Sequence, residues 1–361
     1  DFASEDFVPN FIRGRLLYWL DRWDAGRMVQ AYAAAGRTVW AQELNLTPSQ
    51  RLELMQFLEW NARPENRVYR YDYYRDNCST RVRDAIDRVL GGRIREATEG
   101  VASGTTYRWH TRRAVAADIP VYTGLDLAMG QPIDRPISRW EEMFLPMELR
   151  ENLAAITVLD GNGEEVPLVA RETLLYEATG RAPLPAVPPS RVVAYLLAGL
   201  VLGVGLAFLG WRAKVSPVAR GALATSASLW LLASGLLGVL LVFLWGFTDH
   251  WVTYRNENVL QIGPLALVVA GLLPGAVLGR PAALRAARAF ATIIAALSVA
   301  GLLLQVIPGL DQANGEIIAL ALPANAGLAL ALRLLPPGRA PRRAAAPATP
   351  RGQRERPAPA A

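Results

Sequence analysis

The sequence contains almost no cysteine and almost no histidine. Cys78 is the single cysteine among 361 residues, so no intrachain disulfide can form and the lone thiol needs an explanation. His110 and His250 are the only histidines, so only these two imidazoles could act as a base or as a metal ligand. A Walker loop, a dinucleotide fingerprint and a metal-ligand cluster are also missing from the sequence. We therefore expect neither a cofactor nor a metal site.

Acidic residues are nearly absent from the end of the chain, where arginines accumulate. Glu355 is the only acid after the last long apolar run, and the segment is otherwise rich in Pro, Ala and Arg. It has too little apolar surface to fold, so residues 337–361 are predicted to form a disordered, basic cytoplasmic tail. Because much of the net charge of +6 lies there, the charge does not predict nucleic-acid binding.

Charged residues are rare in the second half of the chain, which alternates apolar runs with short polar connections. The runs are residues 192–211, 222–247, 259–279, 290–306 and 317–335. Each is close to the roughly 20 residues that a helix needs to cross a bilayer core. Residues 191–336 are thus predicted to form an all-α bundle of about five membrane helices. Pro264 and Pro274 leave open whether the third run spans fully or re-enters.

The charges of the connections predict the orientation of the bundle. The first and third connections and the tail are basic, whereas the second contains Asp249 and Glu257 and the fourth Asp311 and Glu316. By the positive-inside rule the basic segments are cytoplasmic. The first half of the chain is then periplasmic, and the bundle lies in the inner membrane of a bacterium.

Residues 1–181 are predicted to form a soluble domain of mixed α and β structure, joined to the bundle by the Pro-rich linker 182–190. Thr47, Pro48 and Gln50 predict a helix that starts there and runs to about residue 60. Aromatic alternation predicts a strand over 68–74, and a helix follows over 79–90. The Asp-Gly-Asn-Gly sequence at 160–163 predicts a hairpin.

Cys78 is the candidate nucleophile because it stands where a strand gives way to a helix. The helix dipole and free backbone N–H groups favour the thiolate and stabilise an oxyanion. Arg75 and Arg81 add positive charge and are candidates for substrate binding, and Asn77 is a candidate orienting residue. Papain-like and NlpC/P60-like cysteine enzymes have this layout, whereas a buried structural cysteine is the ordinary alternative.

Either histidine is a candidate base. His110 lies downstream of Cys78 in the same domain, and His250 lies in the second outer connection. In that connection Asp249, Asn256 and Asn258 are candidates for binding a lipid head group or completing the site. Simple solvation of a polar loop is the alternative.

Several stretches together resemble the Lnb N-terminal periplasmic domain family. The most specific is YDYYRDNCSTRVRD at 71–84, and the others are residues 10–15, 44–47, 130–146 and 249–258. The resemblance implies an α+β, permuted papain-type domain joined to membrane helices. It also implies that Cys78 takes an acyl chain from a phospholipid as a thioester and passes it to the N-terminal cysteine amine of a lipoprotein.

The sequence departs from the family pattern in one respect. The resemblance leads us to expect a Gly-His segment upstream of Cys78, but no histidine precedes it. The chain also begins at Asp1 without a methionine or an export signal. We therefore expect that the N-terminal part of the domain, with the base, is missing and that the polypeptide is inactive as given. Alternatively, His110 or His250 takes that place.

The leading prediction is a membrane-bound thiol acyltransferase whose partners are phospholipid, lipoprotein and the bilayer. A cysteine amidase or peptidase acting on cell-wall peptides is a second possibility, and a non-catalytic membrane scaffold is a third. Five helices exceed what an anchor requires, which favours the first. The sequence leaves the oligomeric state open.

Overall fold

The computed structural model describes residues 6–180 and 182–336, so the predicted tail 337–361 lies outside the described residues. The helices of the first half are α1 (Phe7–Arg13), α2 (Ala25–Ala34), α3 (Pro48–Asn61), α4 (Cys78–Val89), α5 (Arg93–Thr98), α6 (Tyr107–Ala114), α7 (Ile119–Ala128), α8 (Arg139–Glu142) and α9 (Pro146–Ala154). The strands are β1 (Leu17–Trp19), β2 (Val39–Leu44), β3 (Val68–Arg70), β4 (Ala102–Thr106), β5 (Pro136–Ser138), β6 (Thr157–Leu159), β7 (Glu165–Pro167) and β8 (Val169–Tyr176).

The strands form four small antiparallel sheets, in which β1 pairs with β3, β2 with β8, β4 with β5, and β6 with β7. The predicted hairpin at 160–163 is confirmed, because β6 and β7 flank it and Gly163 adopts a φ of 86°. The predicted strand over 68–74 is shorter than expected. It ends at Arg70 because Asp72 and Asp76 then pair across a turn that leads into α4.

The predicted helix starts are confirmed by their caps. Oγ1 of Thr47 accepts a hydrogen bond from the Gln50 N–H, and Oε1 of Gln50 accepts one from the Thr47 N–H, which is the capping box at α3. Helix α4 packs Ile86 and Val89 into a core that includes the fully buried Met143. This core holds α4 rigidly and thereby fixes the residue at its N-terminus.

Five helices of the second half are long and apolar enough to cross a membrane, as predicted. Among the described residues they are α10 (Val192–Arg212), α11 (Pro217–Phe247), the segment Glu257–Val277 that contains α12 (Leu265–Val277), α13 (Pro281–Leu304) and α14 (Gly315–Leu334). The third crossing consists of two parts, because a 3-10 helix at Glu257–Leu260 and a turn at Pro264 precede α12. With 13 residues, α12 rises only about 20 Å, so the preceding turns must complete that crossing.

Glycines allow the first and last membrane helices to pack at backbone contact. A Cβ added to Gly203 of α10 would lie 2.2 Å from the Pro323 carbonyl oxygen. One added to Gly327 of α14 would lie 2.1 Å from the Gly203 oxygen. Small residues at such contacts are typical of membrane helix pairs. The Gly-rich runs are therefore explained by packing.

A buried arginine links the soluble half to the fourth connection between the membrane helices. Arg108 of α6 is 1% exposed, and its guanidinium bonds the carboxylates of Asp126 and Asp134 and the carbonyl oxygens of Met129 and Gly130. Asp134 also accepts from the backbone N–H of the fourth connection, at residue 313. The loop after α7 is thereby held against the membrane bundle.

Candidate active site

Cys78 is the first residue of α4, and its side chain is exposed. The helix begins here because Asn77 caps it. Oδ1 of Asn77 accepts from the backbone N–H groups of Ser79 at 2.8 Å and Thr80 at 2.9 Å, while Oγ1 of Thr80 accepts from the Asn77 N–H at 2.8 Å. The predicted position of Cys78 at a helix N-terminus is confirmed.

The cap also limits how many backbone N–H groups at this helix N-terminus can donate to a substrate. The N–H groups of Ser79 and Thr80 are engaged by Asn77, whereas the Cys78 N–H has no hydrogen bond within the described residues. An oxyanion formed at Cys78 therefore meets one free N–H of the first turn. Of the backbone N–H groups expected to stabilise the oxyanion, the Cys78 N–H is therefore the one that remains available.

Asn77 holds the helix start in place. Its Nδ2 donates to the Tyr73 carbonyl oxygen at 3.0 Å and to the Phe144 carbonyl oxygen at 2.9 Å, and the residue is 5% exposed. Both ends of the amide are engaged, so the side chain has no free atom with which to orient a histidine. Asn77 therefore positions the start of α4, and with it Cys78, rather than a histidine.

Two tyrosines that the sequence analysis did not single out lie beside Cys78. Burial raises the pKa of Tyr69 to about 12, and the nearby Cys78 charge adds to the rise. The pKa of Tyr71 is raised for the same two reasons, and its ring stacks on Tyr18 with centroids 4.2 Å apart. Both phenols are O–H donors at neutral pH. The sequence signal was the period-two spacing of tyrosines at 69, 71 and 73.

The raised tyrosine pKa values predict a loss of stability in alkali. The pKa of Tyr69 is 10.0 in an unfolded chain and about 12 in the fold, so the folded state binds this proton more tightly. The contribution is complete below pH 10 and is lost as the pH rises through 12. We expect the thermal midpoint in detergent to fall over that window, and to fall less in Tyr69→Phe. Tyr32→Phe, at an exposed site, is the control; equal slopes in both variants would contradict the prediction.

The two arginines predicted to bind substrate have other partners. The guanidinium of Arg75 lies 3.5 Å from the ring centroid of Trp251, in the second outer connection. Arg81 makes two hydrogen bonds to Asp76, at 2.7 and 2.8 Å, and lies over the Tyr69 ring. The charge of Arg81 is thus balanced, and Arg75 ties the site to the membrane half. Substrate binding by these residues stays a prediction.

His110 is buried behind the site. Its Nε2 lies 2.8 Å from Oε1 of Glu142 and 3.0 Å from Oγ1 of Thr105. Within the part of the chain that the structure describes, its Nδ1 has no partner and no hydrogen bond joins it to Cys78. In this arrangement Nε2 of His110 is engaged by core groups, and a role of His110 as base stays a prediction.

His250 lies on the same side as the tyrosines. Its Nε2 lies 2.7 Å from the Phe11 carbonyl oxygen, and a carbonyl only accepts, so Nε2 carries the proton and Nδ1 is left as an acceptor. The ring stacks on Tyr73 at 6.4 Å, and Tyr73 contacts Tyr71 at 5.8 Å. Across the described ranges no hydrogen bond connects His250 with Cys78.

Asp249 fastens the N-terminal segment to the second outer connection. Its Oδ2 accepts from Arg15 at 2.7 Å and from Arg70 at 3.0 Å, and these bonds, that of Arg15 above all, lower the pKa of Asp249. Gly14 packs against the backbone of this connection, because a Cβ added to it would lie 2.8 Å from the backbone nitrogen of His250. Residues 10–15 and 249–250 therefore form one surface.

Asn256 and Asn258 lie in a buried network between the two halves. Nδ2 of Asn256 donates to the Leu127 and Ala128 carbonyl oxygens, and Nδ2 of Asn258 donates to that of Leu127 as well. Both residues are at most 1% exposed, and Asn314 donates to Oδ1 of Asn258. The structure thus gives these asparagines a role in joining the halves. Neither amide faces a lipid in this arrangement.

These features describe a membrane protein with an extracytoplasmic domain fastened to five apolar helices. Residues 4–117 match the family model of the Lnb N-terminal periplasmic domain, and residues 187–326 match that of the Lnb transmembrane domain. The chain belongs to the Lnb family, as its sequence indicated. Neither the search of curated proteins nor that of solved structures found a match. The papain-like fold of the soluble domain stays a prediction.

Proposed function

We propose that this protein is a thiol acyltransferase that N-acylates lipoproteins at the outer face of the bacterial inner membrane. The observation that carries the proposal is an exposed, lone thiol at a helix N-terminus, on a domain fastened to a membrane bundle. In this proposal the thiol faces the ester bonds of lipids in the outer leaflet. In this proposal residues 1–181 form the catalytic domain, 182–190 the linker and 191–336 the membrane domain.

The reaction consists of two acyl transfers. In the first, Sγ of Cys78 attacks an ester carbonyl of a phospholipid, the ester C–O bond breaks, and the lysophospholipid leaves as an alcohol after taking up the thiol proton. In the second, the α-amine of the lipoprotein's N-terminal cysteine attacks the thioester. The C–S bond breaks, an amide forms, and the amine proton returns to the thiol.

The groups around Cys78 support these steps in different ways. The free Cys78 N–H is placed to donate to the oxyanion, and the Tyr69 and Tyr71 phenols are donors on the same side. Of the two histidines described, we favour His250 over His110 as the proton carrier, because His250 borders a cavity that also contacts Tyr71. His110 is enclosed with Glu142.

The proposal is tested by intact-mass analysis of the detergent-purified protein, extended upstream of Asp1 where its gene encodes more, after incubation with phospholipid. We expect a mass increase of one fatty acyl chain that hydroxylamine removes and that Cys78→Ala lacks. A cell-wall amidase would form no such adduct with phospholipid. If the folded wild-type protein stays unmodified across several lipids and Cys78 resists alkylating reagents, the acyltransferase proposal fails.

A further inference from the structure

An apolar trough lies where the outer end of α11 meets the soluble half. Its volume is about 570 Å³, within the roughly 300–1,000 Å³ of ligand pockets. Its apolar lining includes Ile12 of α1, Leu125 of α7, and Leu240, Phe243 and Leu244 of α11. The trough therefore exists only because the soluble half is fastened to the membrane half.

The floor of the trough is formed by the last turns of α11, a helix that is long and apolar enough to cross a membrane. Helix α11 ends at Phe247, so Leu244 lies about one turn and Leu240 about two turns before its outer end. At 1.5 Å per residue, Leu240 is about 10 Å inside that end. The trough is thus continuous with the hydrocarbon that surrounds a membrane-spanning helix.

The opposite wall of the trough belongs to an apolar helix at the membrane surface. Helix α1 leaves Val8 62%, Phe11 47% and Ile12 46% exposed, which is unfavourable in water and favourable at a lipid interface. Phe11 and Ile12 also line the trough. This wall therefore lies where lipid tails and head groups meet.

A small polar cavity borders the trough and shares Tyr73, His250 and Val252 with it. Beside this cavity Arg15 and Arg70 both bond the single carboxylate of Asp249. The carboxylate of Asp72 also lines this cavity, and the Arg75 guanidinium lies over the Trp251 ring that lines it. Three positive charges thus face two negative charges, and one positive charge remains. A phosphate group fits this rim by charge.

A row of aromatic rings connects the trough with the thiol. The Tyr73 ring contacts His250 at 6.4 Å and Tyr71 at 5.8 Å, and Tyr71 lies beside Cys78. Aromatic rings provide an apolar path with polar tips. An ester group at the rim would thus lie between the trough and Cys78.

We infer that the trough binds one acyl chain of a membrane phospholipid, with the lipid phosphate at the Arg15–Arg70 rim. The chain lies along α11 between α1 and α7, and the ester is presented toward Tyr71 and Cys78. This inference rests on the proposed function for the fate of that lipid as acyl donor. The binding itself does not depend on chemistry at Cys78.

The test uses the full chain in vesicles that contain a phosphatidylethanolamine with a photoreactive group on its acyl chain. Cys78→Ala serves as the parent, so that no acyl transfer confuses the labelling. We expect label on residues 71–75 and on Leu125, which belong to the soluble half. Residues 151–171 stay unlabelled although they carry Leu159, which is 59% exposed, because they lie outside the trough.

Two matched variants decide whether the label reports the trough. Leu244→Trp overfills it and is expected to lower labelling of residues 71–75 about tenfold, the factor that corresponds to 1.4 kcal/mol. Leu236→Trp, on the same helix but outside the trough and 62% exposed, leaves labelling unchanged. Ala128→Phe repeats the first change from α7, which guards against misfolding of one variant.

The outcomes separate this inference from the proposed function. Label confined to the membrane helices, or label on residues 71–75 that Leu244→Trp and Ala128→Phe both leave intact, overturns the trough. Labelling of the trough without any thioester on wild-type Cys78 supports acyl-chain binding in the trough and contradicts the acyltransferase proposal. A thioester without labelling of the trough supports the acyltransferase proposal and overturns acyl-chain binding in the trough.

Discussion

Replacing Cys78 with alanine is expected to abolish transfer of a fatty acyl chain to a diacylated lipoprotein. The loss should be at least about 10³-fold, because removal of a covalent nucleophile leaves only binding and oxyanion stabilisation. The assay follows the mass of a model lipopeptide with a free α-amine after incubation with full-length protein and phospholipid.

Two measurements accompany that prediction. The thermal midpoint of Cys78→Ala should match that of the wild type, because the side chain is exposed and has no partner among the described residues. Cys78→Ser, which keeps the shape but not the thiol, should be nearly as inactive. Full transfer by either variant would show that Cys78 is not the nucleophile.

Replacing Arg108 with methionine is expected to cause the largest loss of stability of any single change at the junction. The arginine and Asp126 are each 1% exposed, and both Asp126 and Asp134 bond its guanidinium. Removing one partner of a buried ion pair costs about 3–5 kcal/mol, since the other charge stays buried. Because Asp126 keeps its hydrogen bonds to Arg112, we expect a loss near the lower end of that range. For a chain of this size that corresponds to a fall on the order of 10 °C in the thermal midpoint in detergent.

The control is Arg135→Met. Arg135 pairs with Glu141 at the surface, where such a pair is worth about 0–1 kcal/mol, so this change should move the midpoint little. Equal midpoints for Arg108→Met and Arg135→Met would show that the buried network does not hold the two halves together. A large loss for Arg108→Met with transfer intact at low temperature would assign the network to stability alone.

Local features of the site were readable in the sequence because the forces that produce them act over a few residues. The helix opened by Cys78 and the hairpin at 160–163 both follow from capping and turn chemistry. The strand expected over 68–74 ends early, since the Asp72–Asp76 pairing competes with it. The tyrosine spacing is visible in the sequence, but nothing in that spacing places these rings beside a thiol.

The roles of distant residues were not readable in the same way. His110 and His250 are equivalent candidates in the sequence, yet one is enclosed beside Glu142 and the other borders a small polar cavity with Tyr71 and Asp249. The sequence leaves open whether Asn256 and Asn258 bind a lipid head group, complete the site or are solvated, and in the structure their amides join the two halves. Polarity in a loop identifies a hydrogen-bonding residue without identifying its partner.

By itself, the sequence determined the family, the five apolar helices and the position of Cys78 at a helix start, because composition, periodicity and capping are local properties. Tertiary structure alone decided which groups meet: the tyrosines beside Cys78, the buried Arg108 network and the trough along α11. Each of these depends on contacts between segments far apart in the chain. Packing of the whole fold selects such contacts, and no short stretch of sequence encodes them.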